Sequence, residues 1–110
     1  MFGFGKKQAH NEIGAQELHS LIEAGTVQVV DVREPGEFAA GHIPGAVNMP
    51  LSDFQPSTLP HNGRRLILNC LGGKRSAMAL DKCAAAERVI DTHLAGGFGA
   101  WQQAGLPVER

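Results

Sequence analysis

Two apolar segments constrain the fold of this chain more than any other feature. The segments VQVVDV (27–32) and RLILNC (65–70) are rich in β-branched and aliphatic residues and carry apolar side chains at adjacent positions. A strand with one face in water alternates apolar and polar residues, whereas a central parallel strand is apolar on both faces. The two segments therefore predict an α/β protein whose parallel sheet is covered on both sides.

Further helices and strands are predicted around these two strands. Leu18, Leu21 and Ile22 fall on one face of a helix that starts near Gly14 and ends at Gly25. The other predicted elements are a helix from Pro35 to Gly41, a short strand in AVNMP (46–50), a helical turn near 51–54, a helix from Ser76 to about Glu87, a strand in RVIDTHL (88–94) and a last helix that ends at Gly105. This alternation predicts a mostly parallel sheet of about five strands with helices on both faces.

Length and charge limit what the chain can bind. A chain of 110 residues that is 43% hydrophobic forms one domain, which we predict over residues 13–110, with a flexible tail over residues 1–12. The formal net charge of -1 favours neither nucleic acid nor an anionic membrane as a partner. No apolar run approaches the ~18 residues of a membrane span, and MFGFGKK (1–7) lacks the apolar core of a signal peptide. We therefore expect no membrane span and a cytoplasmic location.

The segment CLGGKRS (70–76), which starts at the end of the second apolar strand, has the composition of an anion-binding loop. Its two glycines allow successive backbone N–H groups to point inward, and the helix that follows adds its positive N-terminal end. Lys74 and Arg75 add positive charge at the rim. Such surroundings lower the pKa of a cysteine from about 8.5 to roughly 3.5–7.5, so Cys70 is expected to be a nucleophilic thiolate that needs no adjacent base.

Several other interpretations of this segment are weaker. A lone cysteine at the end of a buried strand is usually an inert core residue, but the Gly-Gly-Lys-Arg-Ser continuation favours a site. The segment is not a nucleotide-binding P-loop, because Arg75 stands where that motif has Ser or Thr. No histidine lies beside Cys70 in the sequence, and the five histidines have no spacing that marks a catalytic pair.

The second cysteine, Cys83, is expected to be a packed thiol. On a helix that begins near Ser76 it would lie roughly 10 Å from the loop, beyond the reach of a disulfide with Cys70. Two cysteines at this separation form neither a disulfide framework nor a metal-binding pattern, so we expect no metal and no other cofactor.

Three motifs resemble those of the single-domain rhodanese-like sulfurtransferases. They are DVREPGEFAAGHIPGAVNMP (31–50), CLGGKRS (70–76) and GGFGAW (96–101), and the resemblance extends from about Ile13 to Val108. It implies that Cys70 is the catalytic nucleophile and carries sulfur as a persulfide. It also implies that the substrate's anionic part binds the loop backbone, formed by Leu71, Gly72, Gly73, Lys74 and Arg75. The implied partners are a small-molecule sulfur donor such as thiosulfate and an acceptor such as cyanide or a thiol, with a protein acceptor as a further option.

Two alternatives to a turnover sulfurtransferase remain open. The first is a sulfur carrier or partner-binding module, which would use the same loop. The second, less favoured, is a cysteine phosphatase or arsenate reductase. Phosphatases of that type commonly have a histidine before the cysteine and five residues between the cysteine and the arginine, whereas this chain has Asn69 and four intervening residues. A shorter loop suits a sulfur atom and is crowded for a tetrahedral phosphate.

Three other residues in the resembling motifs are predicted to be structural. Arg33 is expected to pair with Asp31 or Glu37 and to hold the turn between strand and helix. The His42 imidazole should satisfy backbone groups in a turn, and Trp101 should lie in the core.

Overall fold

Residues 10–110 are described by the computed structural model, and they contain a five-stranded sheet with helices on both faces. The strands are β1 (Asn11–Ile13), β2 (Val27–Asp31), β3 (Val47–Asn48), β4 (Arg65–Asn69) and β5 (Thr92–Leu94), in the order β1-β5-β4-β2-β3. Every pair of neighbouring strands is parallel. The predicted α/β architecture is confirmed.

The described part of the chain contains four α-helices, of which the first three lie between strands and the fourth follows β5. They are α1 (Ala15–Glu23), α2 (Pro35–Ala40), α3 (Lys74–Ala85) and α4 (Gly97–Gln103), and two 3-10 turns occupy Leu51–Asp53 and Pro56–Thr58. Across residues 10–110, no helix combines the length and apolar character needed to cross a membrane.

The two central strands bury side chains on both faces of the sheet. On β2, Val27 and Val29 join an apolar cluster with Leu18 of α1 and Trp101 of α4. Val30 of β2 and Val32, which lies just after the strand, belong to a second apolar cluster that includes residues of α3. Two-sided burial is the reason that neither strand shows an alternating pattern in the sequence.

The boundaries of two predicted elements are corrected. Asn11 and Glu12, assigned above to a flexible tail, lie in β1 and pair with Thr92 and His93 of β5. The short segment NEI has one apolar residue, so its strand conformation comes from this pairing rather than from its own pattern. The rest of the predicted tail, residues 1–9, lies outside the described residues.

The predicted strand over residues 88–94 is shorter in the structure, because only Thr92–Leu94 pairs as a strand. Glu87 ends the preceding helical segment in the left-handed region with φ 60°, and Val89 is 97% exposed. Helix α3 begins two residues earlier than predicted, at Lys74 directly after the left-handed Gly73.

The turn after β2 is built around a buried ion pair. The Arg33 guanidinium donates to the Asp31 carboxylate at 2.8 Å and to the Gly41 carbonyl at 2.7 Å, and it lies 4.4 Å above the Phe98 ring. Both charged residues are buried. The predicted pairing of Arg33 is therefore confirmed with Asp31, and Glu37 has a different partner.

Two of the other structural predictions are also confirmed. The Nδ1 atom of His42 lies 2.8 Å from the backbone carbonyl of Phe38. Trp101 is fully buried, and its indole N–H donates to the Pro107 carbonyl at 2.7 Å.

Candidate functional site

Cys70 directly follows β4, at the carboxyl edge of the sheet, where ligands bind in open α/β folds. Its exposed fraction is 1%, so the sulfur lies at the base of the loop rather than on its rim. The Gly73 N–H donates to the Cys70 sulfur at 3.0 Å, and the Ser76 Oγ lies 3.5 Å from it. Gly73 has φ 114°, a conformation that residues with a side chain rarely adopt.

The start of α4 holds the loop in this shape. The Phe98 N–H donates to the Cys70 carbonyl at 2.7 Å, and the Gly99 N–H donates to the Leu71 carbonyl at 3.0 Å. A side chain at Gly97 would place its Cβ 2.5 Å from both of these carbonyl oxygens. The GGFGAW segment, one of the three motifs found in the sequence, thus packs against the cysteine loop and holds its backbone.

These surroundings lower the pKa of Cys70 below its ordinary value of 9.0. Burial of the thiol acts in the opposite direction and raises the pKa. The hydrogen bond from the Ser76 hydroxyl and those from the backbone N–H groups of Ser76, Gly73 and Gly72 stabilise the thiolate and outweigh burial. The loop therefore favours the nucleophilic form of the sulfur.

The Arg75 guanidinium forms an ion pair with a carboxylate of α2. Its two terminal nitrogens donate to the two carboxylate oxygens of Glu37 at 2.7 and 3.0 Å. These hydrogen bonds lower the pKa of Glu37 from 4.5 to about 2, so Glu37 is ionised at neutral pH. Lys74 is exposed at the first position of α3. The two predicted rim cations thus differ, since one is held in an ion pair and the other faces solvent.

Two residues near the sulfur were missed by the sequence analysis. Ser76 is fully buried and lies next to the sulfur, and its Oγ is 2.7 Å from Nδ1 of His93. A histidine is therefore two hydrogen bonds from Cys70, although none is close in sequence. The sequence signal that could have found His93 is its place as a polar residue in the predicted strand over residues 88–94. In the structure this strand pairs with β4, and His93 lies opposite Leu68.

Cys83 lies outside this arrangement. It is a free thiol that is fully buried in the apolar cluster on the α3 face, and burial raises its pKa above 9.0. The prediction of a packed thiol is confirmed.

A surface cavity of about 430 Å³ lies at the opposite end of β4 from Cys70. Gly63, Arg65 and Arg88 are among the residues that line it. Because the cavity is at the amino end of the strand, it has no part in the chemistry of the sulfur.

The comparison with protein families agrees with the motifs. The family model described as the rhodanese-like domain matches residues 14–104. This match covers most of the chain and includes the cysteine loop and the GGFGAW segment. The chain belongs to the rhodanese-like domain family.

Individual relatives support the same assignment. The chain is 36% identical over 106 residues to a sulfurtransferase of Allochromatium vinosum, covering 89% of this chain and 94% of that protein. It is 43% identical over 103 residues to an uncharacterized protein of Synechocystis, covering 91% of this chain but only 56% of that protein. The chain thus spans about half the length of the Synechocystis relative.

A solved structure shows the same fold. The crystal structure of a rhodanese-related protein from Thermoplasma volcanium has a TM-score of 0.79 and 29% sequence identity to this chain. The alignment covers 91% of this chain and 98% of that one.

Proposed function

We propose that this protein is a thiosulfate or persulfide sulfurtransferase that carries the transferred sulfur on Cys70. The observation that carries the proposal is the hydrogen bond of 3.0 Å from the Gly73 N–H to the Cys70 sulfur, at the N-terminal end of α3. A sulfur atom held by backbone donors at this position is activated as an anion, and the relatives of this family include sulfurtransferases. The family membership thus supports sulfur transfer as the class of reaction, and the loop supports Cys70 as the nucleophile.

The proposed reaction has two steps. The Cys70 thiolate attacks the outer sulfur of thiosulfate, the sulfur–sulfur bond of the donor breaks, and its electron pair leaves with sulfite. The enzyme is left with a persulfide anion on Cys70. Cyanide or a thiolate then attacks the terminal sulfur of the persulfide, and the Cys70 thiolate is regenerated. Charge balances in each step, and no external oxidant or reductant is needed.

The loop backbone is proposed to stabilise both anionic states. The N–H groups that lower the Cys70 pKa, those of Gly72, Gly73 and Ser76, point towards the sulfur. The same groups would bind the persulfide anion and the oxygens of a sulfonate, and preorganised donors of this kind need no rearrangement during the reaction. The exposed Lys74 is placed to attract an anionic donor.

The size of the loop favours sulfur over phosphate. Four residues separate Cys70 from Arg75, and Cys70 as a residue is 1% exposed, so a narrow donor with a terminal sulfur atom reaches it more easily than a phosphoester. Arg75 is bound to Glu37 by both terminal nitrogens, whereas a phosphatase of this kind needs its arginine for the phosphate. A cysteine phosphatase or arsenate reductase is the less favoured function for these reasons.

The test is sulfur transfer from thiosulfate to cyanide by the wild-type protein and by Cys70→Ser. A serine hydroxyl stays protonated at neutral pH, so we expect Cys70→Ser to abolish transfer while the thermal unfolding midpoint stays close to wild type. Cys83→Ala is the matched control, because it removes the other thiol and should retain turnover. Full activity in Cys70→Ser would end the proposal.

Intact mass spectrometry separates an enzyme from a sulfur carrier. After incubation with thiosulfate, the wild-type protein should gain about 32 Da, the mass of one sulfur atom, and Cys70→Ser should not. Addition of cyanide should remove this mass within the turnover time. If the persulfide forms but cyanide and small thiols leave it in place, the protein is a carrier for a dedicated protein acceptor.

A further inference from the structure

Cys70, Ser76 and His93 form a hydrogen-bonded chain beneath the loop. The Cys70 sulfur is 3.5 Å from the Ser76 Oγ, and that oxygen is 2.7 Å from Nδ1 of His93. The exposed fractions of the three residues are 1%, 0% and 5%, so water has little access to the chain. The Ser76 Oγ is also 3.1 Å from the Gly73 carbonyl, which can only accept a hydrogen bond.

The one hydrogen of the Ser76 hydroxyl can be donated to the Gly73 carbonyl, and Cys70 S–H and Nδ1–H of a neutral His93 then both donate to the Ser76 Oγ. When that hydrogen lies between the sulfur and the imidazole instead, two arrangements are possible. With Cys70 as a thiol, its S–H donates to Ser76 and the Ser76 hydroxyl donates to Nδ1 of His93. With Cys70 as a thiolate, Nδ1–H of His93 donates to Ser76 and the hydroxyl donates to the sulfur. The change from the first arrangement to the second moves one proton from the sulfur to Nδ1.

We propose that His93 accepts the Cys70 proton through the Ser76 hydroxyl and so promotes ionisation of the nucleophile. Two protons move in the same direction: the thiol proton goes to the Ser76 oxygen, and the Ser76 proton goes to Nδ1. The products are a Cys70 thiolate and a His93 imidazolium. His93 touches neither donor nor acceptor, so it is a positioning residue, and its role rests on the proposed function of Cys70 as the sulfur carrier.

The groups around His93 keep its imidazole neutral before the proton moves and place one carboxylate where it stabilises the imidazolium afterwards. Burial lowers the pKa of His93, as does the nearby His10, so the imidazole is neutral and its Nδ1 can accept. Glu12 of β1 acts in the opposite direction, because its carboxylate lies 3.8 Å from Nε2 and stabilises the imidazolium. On the α3 side, Asp81 lies 2.7 Å from Nε2 of His10, and the Arg75 guanidinium interacts electrostatically with Cys70 at the other end of the hydrogen-bonded chain.

The imidazole is held in place by the sheet. His93 pairs with Glu12 on one side of β5 and with Leu68 of β4 on the other. Its Cε1 lies 3.9 Å from where a Cβ of Gly73 would be, so the ring packs beneath the loop. Strand pairing therefore fixes the backbone of residue 93, and the contacts with Ser76 and the loop orient its ring.

The first experiment compares His93→Asn with wild type by following the ultraviolet absorbance of the thiolate as pH is raised. An asparagine amide can keep a hydrogen bond with Ser76 but cannot carry the proton. We expect the pKa of Cys70 to rise in His93→Asn by about one unit, which means about tenfold less thiolate below the pKa. His61→Asn is the matched control, because His61 is an exposed loop histidine, and it should leave the Cys70 pKa unchanged.

A wild-type pKa in His93→Asn would overturn the proposal, because it would mean that His93 only holds Ser76 in place. Ser76→Ala should raise the Cys70 pKa as well, since it breaks the chain and removes a donor to the sulfur. If His93→Asn does not fold, the proposal is tested by the nitrogen-15 NMR titration described next, which does not need that variant.

The second experiment follows the imidazole nitrogens of His93 by nitrogen-15 NMR during a pH titration. The Nδ1 resonance should change over the pH range in which the Cys70 thiolate forms, and Cys70→Ser should lack that change. An identical His93 titration in the two proteins would overturn the proposal. Neither experiment uses a sulfur donor or acceptor, so its outcome is separate from the outcome of the transfer assay with Cys70→Ser.

Discussion

At the scale of single residues, the two cysteines differ in the pKa of their thiols. Cys70 and Cys83 are both buried, with exposed fractions of 1% and 0%, and both belong to the apolar cluster on the α3 face. Burial raises the pKa of each thiol, yet the pKa of Cys70 is lowered overall and that of Cys83 is raised. The hydrogen bonds that Cys70 receives in its loop cause the difference. Hydrogen bonding, rather than exposure, therefore distinguishes the thiol whose pKa is lowered from the thiol whose pKa is raised.

The two cysteines should accordingly ionise in separate steps. As pH rises, the thiolate absorbance of the folded protein should first increase with a midpoint below 9.0, from Cys70, and then with a midpoint above 9.0, from Cys83. Sulfur transfer should follow the first step, because only the thiolate attacks the donor. It should rise with pH through the lower midpoint and then stay level.

Single substitutions assign the two steps. Cys70→Ser should remove the lower step and Cys83→Ala the upper one. If the lower step persists in Cys70→Ser, the loop does not lower the pKa of its cysteine, and the electrostatic account of the site is wrong.

At the scale of elements, helix α4 and the cysteine loop act as one unit. The first turn of α4 binds the carbonyls of Cys70 and Leu71 through the N–H groups of Phe98 and Gly99. The loop can approach this closely only because Gly97 has no side chain and adopts φ 60°. The shape of the site is thus set partly by a segment more than twenty residues further along the chain.

Gly97→Ala should therefore damage the site although residue 97 lies outside the cysteine loop. The new Cβ would lie 2.5 Å from two backbone oxygens, so either the loop or the start of α4 must move. We expect sulfur transfer to fall at least tenfold and the free energy of unfolding to fall by about 2 kcal/mol or more, as for other strained backbone positions. Transfer assays and urea unfolding measure the two effects.

Gly36→Ala is the matched control for this prediction. Gly36 lies in α2, and a Cβ there would meet nothing within 4 Å. That substitution should leave transfer unchanged and stabilise α2 by up to about 1 kcal/mol. Equal effects of the two substitutions would show that the close contact at Gly97 does not shape the site.

Elements with a strong local signal were predictable from the sequence, and those that depend on a partner were not. Strands β2 and β4 and the cysteine loop have their pattern within a few residues. Strand β1 has one apolar residue and forms because β5 lies beside it. Ser76 and His93 are 17 residues apart and lie on different elements, so only the parallel pairing of β4 and β5 brings the histidine near the sulfur.

At the scale of the whole molecule, an ion pair joins the first motif of the chain to the cysteine loop. Glu37 of α2 binds Arg75 of α3, 38 residues away, and its carboxylate also accepts the Glu34 N–H at 2.9 Å at the start of α2. The two helices lie between different pairs of strands, so the ion pair connects two parts of the fold at the edge that carries Cys70. Its strength should depend on pH, because the pKa of Glu37 is about 2 in the folded protein and 4.5 ordinarily.

Glu37→Gln tests this connection. A carboxyl whose pKa is lowered by folding contributes stability above its unfolded pKa, and that contribution is lost as pH falls from about 4.5 to about 2. Because both side chains are about a third exposed, solvent screening limits the contribution to about 1 kcal/mol. The urea-unfolding free energy of Glu37→Gln should therefore be about 1 kcal/mol below wild type at pH 7, and most of this difference should be gone near pH 2. Glu17→Gln, at an exposed position on α1, should track wild type throughout. A deficit of Glu37→Gln that stays constant down to pH 2 would mean that packing, and not charge, joins the two helices.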